Sequence, residues 1–315
     1  MKKIRLLTIA SLFVLSIASV NANTIVERFT TDPALDGWQV FGDTNLFQWD
    51  STNQNLAVTW DSTQPNSYFY HPLVRTLTTN DSFCVLFELQ LNDAVAYNSG
   101  MELAVGLLNF SEATDPNFSR AFGVSPDLCE FDYFPAYVYA GQPYPASVDA
   151  TLIDAASDFY FAYDNLTLNP GVTYQILLVH QAGSETISGK VFTNGQLVSA
   201  MPNIYSGFPG AFQLDTLSVC SYADDGFGDS ILAHGTVGKL AVASPLPVDR
   251  IQNLAAGEVQ FASDTNWLYS LEESADFQTW TPAAPGGFGN GTNLVLQAAN
   301  LSAGTSFYRV RADLP

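Results

Sequence analysis

Residues 129–145 read CEFDYFPAYVYAGQPYP and place Glu130 and Asp132 one residue apart, ahead of Tyr133, Tyr137, Tyr139 and Tyr144. On a strand, alternate side chains share a face, so the two carboxylates stand roughly 7 Å apart, with Phe134 next in line. Two carboxyl groups can attack and protonate a glycosidic bond, and a retaining mechanism sets them about 5–5.5 Å apart across that bond. Phe134 and Pro135, which follow on the strand, carry no carboxyl group. An acid would have to come from elsewhere, for instance the segment holding Asp149, Asp154 and Asp158. Two plainer readings of Glu130 and Asp132 are a solvated sheet face and a partner for Arg120.

The four tyrosines are interleaved with Pro135, Gly141, Pro143 and Pro145, which prevents a regular sheet ladder through the whole stretch. Exposed tyrosines on a rigid loop offer flat apolar faces with polar edges, suited to stacking on sugar rings. Glu130, Asp132, Tyr133, Tyr137, Tyr139 and Tyr144 are therefore the candidate ligand-binding set, with a polysaccharide as the candidate ligand. The alternative is a loop that closes over a core with its own aromatics. Trp38, Trp49 and Trp60, in strand-like surroundings, read as core. Asp224, Asp225 and Asp229, spaced around two glycines, form either a calcium-binding turn or a plain acidic one; apart from calcium, the expectation is no cofactor.

Other chemistries are disfavoured. His71, His180 and His234 are isolated from one another and from Cys84, Cys129 and Cys220, which argues against zinc. The three cysteines allow one disulfide at most, and their apolar surroundings suit buried thiols. GDSIL at residues 228–232 lacks a following Asp-x-x-His, and no nucleophile elbow, phosphate loop or dinucleotide fingerprint occurs.

The elements that must position these residues are strands. LAVTWDS, SFCVLFELQL, TYQILLVHQ and FQLDTLSVCSY alternate or are rich in β-branched and aromatic residues, and turn residues interrupt them at short intervals. Asn194-Gly195 inside ISGKVFTNGQLV is a strong hairpin signal. Some 220 residues of this kind predict an all-β fold: a two-sheet antiparallel jelly-roll sandwich over residues 24–243. Pro245 and Pro247 mark a linker at 244–250, and residues 251–315 form a small strand-rich module that is short for an independent core.

The first 22 residues combine Lys2, Lys3 and Arg5 with an apolar run and Val20-Asn21-Ala22, the pattern of a secretory signal cleaved after Ala22. The expected location is secreted, periplasmic or cell-surface. No later segment approaches the length of an apolar membrane helix, so an integral membrane protein is not expected. Of 11 Lys and Arg, three lie in this leader, leaving eight against 31 Asp and Glu, a net charge near −23. Such a surface repels phosphate backbones and disfavours nucleic acid.

The opening ERFTTDPALDGWQVFGDTNLFQWDSTNQNLAVTWDS, with SFCVLFELQL and ILAHGTVGKLAV, resembles the concanavalin A-like lectin/glucanase jelly rolls, a superfamily that also includes laminin-G-like binding modules. The tail, with YSLEESADFQTW and FYRVR, resembles a short C-terminal module of secreted Verrucomicrobia-like bacterial proteins. Retaining glucanases of the laminarinase family carry Glu-x-Asp-x-Glu on such a strand. The resemblance implies a nucleophile at Glu130 and a helper at Asp132, while Phe134 occupies the acid/base position. Three readings follow: a secreted non-catalytic binding protein that recognises carbohydrate through a sheet face and rim loops; an endo-acting laminarinase-type hydrolase with a non-standard acid/base; and a structural envelope or matrix protein with protein partners.

Overall fold

The computed structural model describes residues 23–96, 103–118, 120, 127–154, 159–183, 187–201, 211–223, 231–244, 246, 248, 251–255, 258–275, 279–299 and 307–313. Its first strands are β1 (Asn23–Glu27), β2 (Gln39–Phe41), β3 (Phe47–Asp50), β4 (Asn55–Asp61), β5 (Ser67–Thr78), β6 (Phe83–Ala96) and β7 (Leu103–Leu108). A one-turn helix α1 (Phe110–Ala113) precedes β8 (Leu128–Phe134), β9 (Tyr137–Tyr139), β10 (Gln142–Tyr144), β11 (Ser147–Ile153) and β12 (Phe159–Asp164). The remaining long strands are β13 (Thr173–His180), β14 (Ile187–Thr193), β15 (Gln196–Met201), β16 (Gln213–Ser221) and β17 (Ile231–Ser244).

These strands make the expected all-β jelly-roll sandwich of two antiparallel sheets. Sheet A runs β15-β14-β13-β6-β17-β4-β3, with β1 also on β17, and sheet B runs β12-β11-β8-β7-β16-β5-β2. The core between them takes one face of each sheet: Val85, Phe87 and Leu89 from β6, Ile176 and Leu178 from β13, Val105 from β7, and Cys129, Phe131 and Tyr133 from β8. Trp38 stacks on Phe69 in this core, Trp60 is fully buried, and Trp49 packs against its edge. The Asn194-Gly195 hairpin joins β14 to β15 with both residues at positive φ, the geometry that a two-residue primed turn requires. All three cysteines are free and buried.

The two sheets treat their outer faces differently. Along β13 burial alternates, whereas β7 is buried at every position and β8 at every position but its last. A second apolar cluster covers the outer face of sheet B, with Tyr68, Leu108, Ala113, Phe118, Leu128, Cys220 and Tyr222 packed together.

The tail contributes β18 (Ile251–Ala255), β19 (Glu258–Ala262), β20 (Leu268–Ser274), β21 (Thr281–Pro282), β22 (Gly287–Phe288), β23 (Asn293–Gln297) and β24 (Phe307–Asp313). They form a β18-β19-β23 sheet and a second sheet centred on β20. Phe261, Trp267, Tyr269 and Leu271 share one apolar cluster with Cys84, Leu86, Leu177, Val179, Ala241 and Ala243 on the outer face of sheet A. The tail completes its core by packing on the sandwich.

Candidate functional site

The strand β8 splits its residues between two environments. Cys129, Phe131 and Tyr133 enter the core, so Glu130 and Asp132 face outward from sheet B. Register places Gly106 and Thr151 beside Glu130, and Ala104 and Asp149 beside Asp132. Gly106 is required by close approach: a Cβ there would run into the Cys129 carbonyl oxygen and the Glu130 Cα.

Facing outward does not expose these carboxylates. Glu130 and Asp132 are 1% and 0% exposed, and Arg120, at 2%, lies between them. Its Nε donates to Glu130 Oε1 at 2.5 Å and its Nη2 to Asp132 Oδ2 at 3.1 Å. The Tyr222 hydroxyl donates to Glu130 Oε2 at 2.8 Å, and the guanidinium carbon stands 5.8 Å from the centroid of the Tyr222 ring. Burial first, then the neighbouring Cys220 and Glu130, push the Tyr222 phenol far above its usual range, which keeps it a donor. Burial also raises Asp149 to about 6, against a hydrogen bond from Ser147 and the charge of Arg120.

Of the two plain readings of Glu130 and Asp132, the structure shows the partner for Arg120 and not the solvated face. Their inclusion among ligand-contacting residues is corrected for the same reason: side chains enclosed and held by a guanidinium are closed to a glycan in this conformation. The sequence signal for Arg120 was its position near the acidic pair. Tyr222 gave none, because it lies just past β16 and meets Glu130 only when sheet B is assembled.

Tyr133 is likewise corrected. It is 2% exposed in the inter-sheet core, and its hydroxyl accepts the Leu168 N–H at 3.3 Å. Tyr137 and Tyr144 behave differently. They stand opposite each other in a short hairpin, β9 paired with β10, which projects from the ends of β8 and β11. Ala140 and Gly141 close its turn at positive φ. The two rings stack 4.9 Å apart and within 4° of parallel, and Tyr144 remains 43% exposed. Tyr163, 60% exposed, comes from β12 opposite Asp149 on the same end of sheet B. The backbone of Tyr139 lies in β9, while its side chain is outside the described residues.

Asp224, Asp225, Asp229 and the GDSIL stretch up to Ser230 also lie outside the described residues. Among the described residues no cluster of three or more His, Cys, Asp or Glu side chains is arranged to hold a metal ion. No described helix is long and apolar enough to cross a membrane.

No protein-family model matches the chain, and no curated protein matches it. Solved structures do resemble it. Winged bean acidic lectin complexed with methyl-α-D-galactose covers 71% of this chain and 98% of its own, at 12% identity and TM-score 0.46. Lectin UEA-II complexed with galactose has the same coverage at 13% identity and TM-score 0.45. The Lotus tetragonolobus seed lectin does so at 12% identity and TM-score 0.42. These are likenesses of fold.

Proposed function

We propose that this chain is an exported, non-catalytic carbohydrate-binding protein that engages its ligand at the end of sheet B. The observation that carries the reading is the tyrosine pair on the 137–144 hairpin. The Tyr137 and Tyr144 rings stack nearly parallel on a hairpin whose turn is closed at Ala140 and Gly141, and Tyr144 stays 43% exposed. That is what stacking on a pyranose requires, since a preorganised aromatic loses little entropy on binding. Tyr163, opposite Asp149 on β12, is a further exposed tyrosine of sheet B. The enclosure of Glu130 and Asp132 by Arg120 supports a non-catalytic role, because neither carboxylate can reach a glycosidic carbon while paired and buried. The leader before Asn23 supports export.

The test is retention on immobilised β-glucans and galactans, with released reducing ends recorded in the same tubes. We expect retention without release, weakened by Tyr137→Ala and by Tyr144→Ala about five- to tenfold each, the loss of about 1 kcal/mol of ring contact. Retention indifferent to both substitutions overturns the hairpin as the site. Reducing ends that vanish with Glu130→Gln overturn the non-catalytic reading.

A further inference from the structure

The outer face of sheet A changes chemistry along its length. On β6 the outward residues run Cys84, Leu86, Glu88, Gln90, and on β13, read from the same end, Val179, Leu177, Gln175, Thr173. The C-terminal module packs on the apolar end. Two adjoining clefts, which share Glu88 and Lys239, follow the face from there. The first, about 310 Å³ at the seam with the tail, is lined by Leu86, Leu177, Phe192 and Val310 together with Gln175 and Arg311. The second, about 400 Å³, is lined by amides and hydroxyls, Asn55, Gln90, Thr173 and Thr236 among them. Register sets Gln90, Thr173 and Thr236 in one cross-strand row, and Gly238 beside Glu88 in the next. A Cβ on Gly238 would meet nothing nearer than the Glu88 Oε2 at 3.6 Å, so packing does not demand glycine there, and its missing side chain is open space in the cleft.

The polar cleft exists because β17 passes its free edge from one strand to another. Residues 232–237 pair with β4 and residues 240–244 with β1, and a bulge between Gly238 and Ala241 separates the two pairings. Three of the five non-glycine residues at positive φ among the described residues lie at this junction: Phe29, Gln54 and Lys239; the other two, Ala140 and Asn194, are hairpin turn positions. Such backbone costs free energy and persists where its surroundings fix it. At Phe29 they do so from both sides, since the Glu27 carboxylate accepts its N–H and the Trp49 indole donates to its carbonyl at 2.9 Å. The Asp50 carboxylate accepts the N–H groups of Thr52 and Asn53, which holds the turn leading to Gln54 and Asn55. Gln90 Nε2 donates to the Gly171 carbonyl at 2.7 Å, which fixes its amide.

The charges along the groove are closed on one another. Glu88 holds Lys239 at 3.2 Å, Glu272 holds Arg309 at 2.6 Å and Asp313 holds Arg311 at 2.8 Å, and Arg28 also has a partner. A charged ligand finds no counter-charge waiting there, and a chain of net charge −20 repels anions besides. Neutral hydroxyls meet no such barrier. An ammonium carries three donors and a guanidinium five, so a paired Lys239 or Arg311 can hydrogen-bond a hydroxyl while its ion pair stays intact. Asn55 Oδ1 has no donor from the protein, an unfavourable state that a hydroxyl bound beside it would relieve.

We propose that this groove binds a neutral oligosaccharide along the seam between sandwich and C-terminal module. A pyranose has apolar C–H faces and hydroxyl edges, so it calls for apolar side chains beside uncharged donors and acceptors. Leu177, Phe192 and Val310 supply the first, and Asn55, Gln90, Thr173 and Thr236 the second. The volumes fall in the range of small-ligand sites, which favour the boundaries between domains. The inference goes beyond the tyrosine hairpin, adding a second sugar site on the other sheet, so the two can fail separately.

The experiment is calorimetric titration of the full chain without its leader, carrying Tyr137→Ala and Tyr144→Ala so that the hairpin is silent. The probes are neutral gluco-, galacto- and manno-oligosaccharides, an oligogalacturonate of equal length and an extended peptide of Thr and Gln. Binding of at least one neutral sugar, indifferent to rising salt, is the expected result. Asn55→Leu and Gly238→Ala, the second placing a methyl group in the cleft, should each weaken it about tenfold without lowering the thermal midpoint. The proposal is overturned if no neutral sugar binds, if the oligogalacturonate or the peptide binds as tightly, or if neither substitution weakens binding. A sugar held by the parent chain and lost with the two tyrosines leaves the hairpin standing and overturns the groove.

Discussion

Arg120 shows how a pattern that reads as chemistry becomes structure. Two carboxylates on one strand face invite a catalytic reading, yet a single guanidinium lying over the sheet neutralises part of their charge and closes them from solvent. Removing one partner of a buried ion network leaves charge without compensation. Arg120→Met should therefore destabilise the protein by about 3–5 kcal/mol in urea unfolding at neutral pH. Combining it with Glu130→Gln and Asp132→Asn should restore much of the loss, because the strand then buries neutral groups. A cost below about 1 kcal/mol for Arg120→Met alone would mean that water reaches these carboxylates.

At the scale of elements, β8 and β7 are matched by what one of them lacks. Gly106 opposes Glu130 across the ladder, and the absence of a side chain there admits the backbone of β8 at close range. Gly106→Ala should cost roughly 1–3 kcal/mol or more, read as a lower thermal midpoint, since the obstructing atoms are backbone and cannot swing aside. The bulge in β17 acts by parity. Val237 points into the core, and the extra residue lets Leu240 and Val242 do so too, turning the small Ala241 and Ala243 outward beneath the tail. Without that shift the outer face under the tail would carry larger side chains, and the tail could not approach as closely.

For the whole molecule, the tail and the sandwich are thermodynamically joined, because one apolar cluster spans both. A charge placed inside that cluster should separate them. Ala243→Glu puts a carboxylate into the apolar cluster that Ala243 shares with Leu271. The expected outcome is binding of a hydrophobic dye at native temperatures and a split unfolding transition, where the parent chain unfolds in one step. An unchanged single transition would show that the tail holds its core without the sandwich.

The sequence by itself determined the class of fold, because period-2 alternation and short-range turn chemistry are local properties: the strands of sheet A and the Asn194-Gly195 turn are legible residue by residue. It also determined the acidity of the chain, while the exposure of Tyr144 was left open between a platform and a loop closing over a core. It could not tell Tyr133 from Tyr137, four residues apart in one aromatic run, since only the packing of sheet A against sheet B buries the first. Nor could it show the fate of Glu130 and Asp132. Their alternation with Phe131 announced a face and Arg120, ten residues from Glu130, was a legible partner, but the closing of that face also takes Tyr222, which is 92 residues from Glu130 and meets it only in the assembled sheet.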